Sequence, residues 1–250
     1  MYKDDFSITA NTAKIKAEFI NKNPGGFFIA SMLAGVFIGI GVFLSSTIGS
    51  LLDGQPYAKI AMGASFCVAL SLIIIAGAEL FTGSNLIMSS GLFSKKVRLG
   101  QTLKLWVFCY IGNWLGSIII SAVFLGTGLA SGSLGEFINA ASVEKTTLPF
   151  FQLFFRAVLC NTLVCLAIWS CVRCKSDSGK LIIIFWCMFA FVTTGFEHCI
   201  ANMSLLAVSL FNNGINAGAY FYNILTATFG NMAGGIIFVA LPYYLITRKD

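Results

Sequence analysis

The feature that most constrains this chain is a succession of apolar runs, each 18 or more residues long and nearly free of charge. Runs of that length match the hydrocarbon core of a bilayer and mark membrane-spanning helices. The composition agrees, with only 10% charged residues and a mean hydropathy of +0.85. A soluble domain usually carries about 25% charge. The runs predict an all-α integral membrane protein with six transmembrane helices, at approximately 27–51, 58–92, 104–130, 148–172, 180–212 and 219–246. One membrane domain then fills 27–246, between an N-terminal segment, 1–26, and a short tail, 247–250.

The N-terminal segment has no apolar centre and carries Lys3, Asp4, Asp5, Lys14, Lys16, Glu18 and Lys22, so it does not read as a signal peptide. Around Asn11 to Ile20 it reads equally as an amphipathic surface helix or as a solvated tail. The connections sort by charge. Lys95, Lys96, Arg98, Lys104, Arg173, Lys175, Lys180, Arg248 and Lys249 fall on the side of the N-terminal segment. Only Lys59 and Lys145 fall on the other side, and Arg156 lies within the fourth span. The positive-inside rule then places both termini in the cytoplasm. The net charge of +6 is thus explained by the membrane and calls for no nucleic acid. Most of the eight cysteines sit in apolar runs and behave as small hydrophobes. Cys171 and Cys174 form a lone C-x-x-C, weak evidence for a metal or redox site.

Two runs are too long for one crossing. Segments 58–92 and 180–212 hold 35 and 33 residues. As straight helices each would measure roughly 50 Å, against a core of roughly 30 Å. Each contains residues suited to a mid-membrane break, around Gly77 to Asn85 and around Thr193 to Asn202. The halves match at a fixed offset of 118 residues: Gly77 with Gly195, Glu79 with Glu197, and Gly112, Asn113 and Gly116 with Gly230, Asn231 and Gly234. Spans one and four give no comparable match. Three spans per half require opposite orientations, and inverted repeats with broken helices place a transport site near the midplane. The Gly-Asn-x-x-Gly segments read chiefly as close helix packing.

Glu79, Glu197 and His198 are the ionisable groups placed inside the membrane near these breaks. Such groups are costly, and are therefore functional or paired. Each glutamate could bind freed N–H groups or a basic side chain and hold its bend. His198 is the only histidine, so it cannot complete a metal site with others. No catalytic constellation is evident, and the chain does not read as an enzyme. A histidine at a break, with an ordinary pKa of about 6.5, suits gating or proton exchange. Two new helix N-termini converging at mid-membrane favour an anion. The spans hold few positive charges, so a small monovalent anion fits best.

At these residues the chain resembles the formate/nitrite transporter family. Gly77-Ala-Glu-Leu-Phe-Thr-Gly83 looks like its first signature, and Ala157 to Ala167, around Cys160-Asn161-Thr162-Leu163-Val164, like its second. Gly195-Phe-Glu-His198, continuing to Ala201-Asn202-Met203, is similar to its fifth-helix motif. Thr162 departs from the usual apolar residue after the asparagine, a matter of local packing. Overall the chain looks most like the hydrosulfide channel branch. The resemblance implies an aquaporin-like inverted 3+3 repeat, a homopentamer in membrane lipid, and a pore through each protomer. It implies an outer constriction at Leu80 and Phe191, an inner one at Phe81 and Val164, and central polar positions at His198, Thr82 and Asn161. Lys145 would attract anions at the outer mouth, and Glu79, Glu197, Gly83 and Gly195 would support the breaks. Cofactors and metals are not implied.

The expected function is a passive or proton-linked pathway for hydrosulfide, formate or nitrite. A neutral-solute channel of the water/glycerol type is the alternative, but its paired Asn-Pro-Ala motifs are absent; the only Asn-Pro is Asn23-Pro24. A membrane-embedded enzyme would need a ligand cluster that the sequence does not offer.

Overall fold

The computed structural model describes residues 2–248, and every regular element among them is helical. In chain order these are α1 (Lys3–Lys22), α2 (Pro24–Leu51), α3 (Ala58–Gly77), α4 (Phe81–Phe93), α5 (Leu99–Gly126), α6 (Gly132–Thr146), α7 (Phe150–Arg173), α8 (Asp177–Thr193), α9 (Cys199–Phe211) and α10 (Ala217–Thr247). Helices α2, α3, α5, α7 and α10 are each long and apolar enough to cross a membrane. Of the positive residues in the tail, Arg248 is described and Lys249 lies outside the described residues.

Both overlong runs are broken where the glycines suggested. Gly77 and Gly195 adopt φ +86° and +76°, a conformation that only glycine enters without strain. Ala78 N donates to Ile73 O at 3.1 Å, and Phe196 N donates to Phe191 O at 2.9 Å. These six-residue closures end α3 and α8 as Schellman-type caps. The chain then runs extended through Leu80 and His198 before α4 and α9 begin. Gly83 takes no part in the break. It is the third residue of α4, and a Cβ there would come within 2.5 Å of the Ile168 side chain, so its role is close packing on α7.

The offset of 118 is structural. Phe81 and Cys199 open their half-helices, and Leu99 and Ala217 open α5 and α10. Repeat mates even touch: Tyr110 Oη lies 2.9 Å from Thr228 Oγ1, and Cys67 Sγ donates to Phe185 O at 3.3 Å, each pair 118 residues apart. A pseudo-two-fold axis passes between the members of such pairs. Helices α2 and α7 are equivalent as well, but at an offset of 126. Cβ atoms added at Gly112 and Gly116 would crowd Phe28 O and Met32 O, and at Gly230 and Gly234 they would crowd Phe154 O and Val158 O. The eight-residue difference between 126 and 118 hid this match in the sequence.

Helix α1 is neither a solvated tail nor limited to Asn11 onward. It starts at Lys3 and buries Phe6, Thr9, Ala10, Ala13, Ala17 and Ile20, a stripe at helical spacing. Ala13 Cβ lies against Gly91 at the end of α4. Arg173 fixes its start, 3.4 Å from Asp5 and 4.8 Å from the centre of the Tyr2 ring. The segment expected to be an outer loop around Lys145 is a second such helix, α6, burying Gly135, Ile138 and Ser142. Its polar composition, with Glu136, Glu144 and Lys145, concealed it. Helices α1 and α6 cap opposite ends of the bundle: α1 meets α4, Tyr244 and Trp169, while α6 meets Gly49 and Gly214. The two repeats therefore run in opposite directions. Helix α10 has one irregularity, a π-turn over Ile236–Ala240 just before Pro242, whose missing N–H interrupts the regular ladder.

Candidate functional site

A helix broken inside an apolar medium frees backbone groups that must find partners. Here two asparagines supply them. Asn113 Oδ1 accepts from Phe81 N at 2.9 Å, while its Nδ2 donates to Ser31 O and Glu79 O at 2.7 and 2.8 Å. Asn231 repeats this with Cys199 N at 2.9 Å and with Ala157 O and Glu197 O at 2.7 and 2.9 Å. The backbone N–H groups of Glu79 and Glu197 donate to Ala30 O and Arg156 O. Each break is thus stitched to the neighbouring helix. In the Gly-Asn-x-x-Gly segments the glycines pack as expected and the asparagines bond across to the neighbouring helix, and beyond that expectation they also hold the breaks.

Both glutamates are ion-paired. Glu79 meets Lys16 of α1, a short contact between side chains 14% and 15% exposed. Glu197, 3% exposed, receives Lys145 Nζ on one oxygen at 2.7 Å and Asn202 Nδ2 on the other at 2.7 Å. Asn202 also donates to Asn223 Oδ1 at 2.8 Å, and Asn223 Nδ2 donates to Lys145 O at 2.8 Å. Lys145, in the last turn of α6, is therefore part of a closed network and not a free charge in a loop. Sequence reasoning placed Asn202 only in the break and motif, and gave no role to Lys16 or Asn223. Lys16 could have been found, because it falls on the α1 stripe between Ala13 and Ile20.

The centre lies where α4 and α9 begin. His198 caps α9, its Nδ1 accepting from Ala201 N at 3.2 Å. Its Nε2 sits 3.0 Å from Thr82 Oγ1. Because Nδ1 is an acceptor, the neutral ring carries its proton on Nε2 and donates to Thr82. The Thr82 hydroxyl hydrogen then has no acceptor among the described residues. Asn161 Nδ2 donates to Thr82 O at 3.3 Å, Asn85 Oδ1 at 3.1 Å and Asn231 O at 2.7 Å, so Thr82, His198 and Asn161 form one cluster. The Phe191 ring lies 6.0 Å from the imidazole. Leu80 directly precedes α4, Phe81 packs edge-on to Tyr110 at 5.0 Å, and Val164 lies one turn from Asn161. All four apolar residues are at most 4% exposed. Among the described residues, no group of three His, Cys, Asp or Glu side chains could hold a metal.

Known proteins share this architecture. The family described as "Formate/nitrite transporter" matches residues 4–245. The nitrite transporter NirC of Escherichia coli (strain K12) is 39% identical over 247 residues, which cover 96% of this chain and 90% of that protein. A probable formate transporter of Methanothermobacter thermautotrophicus is 35% identical over 266 residues, covering 97% and 96%. Among solved structures, an FNT family ion channel superposes with TM-score 0.93 at 35% identity, over 98% of this chain and 99% of that one. A pentameric formate channel with formate bound gives TM-score 0.79 at 31% identity, over 90% and 97%. These relatives are transporters and channels, not enzymes. With its apolar helices, broken half-helices and near-complete alignment to them, the chain is a multi-pass membrane protein that belongs to the formate/nitrite transporter family.

Proposed function

We propose that this protein conducts small monovalent anions, namely formate, nitrite and hydrosulfide, across the cell membrane by a passive or proton-linked route through each protomer of a homopentamer. The observation that carries this reading is the Thr82–His198 pair, buried where two half-helix N-termini meet. Those termini favour negative charge, and the unpaired Thr82 hydroxyl hydrogen offers an anion a directed donor. The relatives' substrates point the same way, since two are described by nitrite or formate and one solved channel holds formate.

On this reading Leu80 and Phe191 form one apolar constriction and Phe81 and Val164 another, with His198, Thr82 and Asn161 between them. Tight apolar walls exclude hydrated ions. The His198–Thr82 hydrogen bond polarises the Thr82 hydroxyl, whose hydrogen can bond an anion and offset part of its charge between those walls. Gly195, Glu79 and Glu197 hold the breaks, and Lys145 acts through Glu197. The basic end that carries α1, with segments 1–26 and 247–250, faces the cytoplasm.

Uptake of formate, nitrite and hydrosulfide into proteoliposomes, with internal pH recorded, tests the proposal. Entry of all three is expected, with internal pH reporting whether the anion or its acid crosses. Liposomes no more permeable than protein-free ones would overturn it.

A further inference from the structure

The feature that the proposed pathway leaves unused is Arg156. It sits six residues into α7, on the half of the bundle capped by α6. Its carbonyl accepts from Glu197 N, which places its backbone level with the second break, inside the membrane-spanning part. Its side chain is half-buried and forms no ion pair among the described residues. It opens onto a shallow outward groove lined by Phe151, Gln152, Phe155 and Leu159. Three of these are large exposed hydrophobics: Phe151 at 70%, Phe155 at 58% and Leu159 at 49%. The equivalent position in the first repeat, 126 residues earlier, is Ala30. The charge is therefore not required by the fold that the two halves share.

A guanidinium on the apolar outward face of a membrane-spanning helix needs an anionic partner. Side chains on a helix lean toward its N-terminus, and long basic ones extend to the membrane interface. Arg156 lies roughly 9 Å along the axis from the start of α7, a distance its own length largely covers. A second copy of the chain is a poor match. At this end of the bundle the exposed acids are Asp53, Glu136 and Glu144, which sit in a loop or on α6 and not on the apolar flanks of the spans. A phospholipid matches both parts of the site. Its phosphate accepts a forked guanidinium, with Gln152 one turn above, and an acyl chain lies along Phe151, Phe155 and Leu159.

We infer that Arg156, Gln152 and the adjoining aromatic groove form a binding site for an anionic phospholipid in the leaflet on the α6 side. The inference is independent of which anion the pore conducts. Native mass spectrometry of the purified oligomer, after exchange into equal phosphatidylglycerol and phosphatidylcholine, reads it directly. Wild type should retain phosphatidylglycerol preferentially. Arg156→Gln should lose that preference by about fivefold, the effect of one basic residue near an anionic surface. Arg156→Lys should keep most of it, and flux through the pore should persist in both. Equal enrichment in wild type and Arg156→Gln would overturn the site. An Arg156→Gln oligomer that falls apart while keeping its lipid would also overturn it, and would assign the groove to a neighbouring subunit.

Discussion

At the scale of single residues, His198 does two things with one ring. Nδ1 caps α9 and Nε2 reaches Thr82, so the tautomer is set by a backbone N–H and not by solvent. Asparagine is a good helix cap and can accept from Ala201 N in the same place. We therefore expect His198→Asn to fold and assemble but to lose the one imidazole beside Thr82, which an entering anion draws toward its charged form. Weak-acid flux measured between pH 5 and 8 should have a flatter profile in the variant, and an unchanged profile would leave His198 as a cap only. The apolar constrictions give a second expectation. Leu80→Val and Phe191→Ile each remove bulk and should raise flux at equal protein loading; wild-type conductance in both would refute their placement in the wall. His198 was legible in the sequence because an ionisable residue inside an apolar run is conspicuous; Thr82 and Asn161 entered only through the family resemblance. The tautomer was not legible, because it depends on a neighbour three residues along in an already folded helix turn.

At the scale of elements, the sequence revealed what repeats in composition and concealed what repeats only in position. The broken helices were legible from excess length and from Gly77 and Gly195. Helix α6 was not, because it is short and polar and gains its stability from docking. That docking runs through Lys145, which holds Glu197 by its ammonium and Asn223 by its carbonyl. Breaking a buried pair leaves an uncompensated charge and costs about 3–5 kcal/mol. Lys145→Glu should therefore lower the thermal unfolding temperature markedly, read by intrinsic tryptophan fluorescence. The exchange Lys145→Glu with Glu197→Lys should recover part of the loss. Because the pair is sheltered, the associated loss of flux should persist at high salt. A loss that fades once the Debye length falls to about 10 Å at 0.1 M would instead favour long-range attraction of anions by Lys145.

At the scale of the whole molecule, the distribution of cysteines gives a direct reading of orientation. Seven of the eight are buried, and Cys174, in the connection after α7, is partly exposed. A membrane-impermeant maleimide should label inside-out vesicles and spare intact cells, and Cys174→Ser should abolish the signal. Labelling of intact cells would reverse the assigned topology. The apolar runs could be counted from hydropathy, and five helices, α2, α3, α5, α7 and α10, are long and apolar enough to cross a membrane. The antiparallel relation of the halves could be inferred from their odd span number, but not how closely it is kept. In three dimensions each half has its own capping helix and its own lysine on its own glutamate, Lys16 on Glu79 and Lys145 on Glu197. A conduit built this way sets the same scaffold toward either compartment. Where the proposed route is passive, it behaves as a resistor and not a diode. The same protein would load a cell with a scarce nutrient or vent an accumulating waste product, and the sign of the flow would be set by metabolism on the two sides.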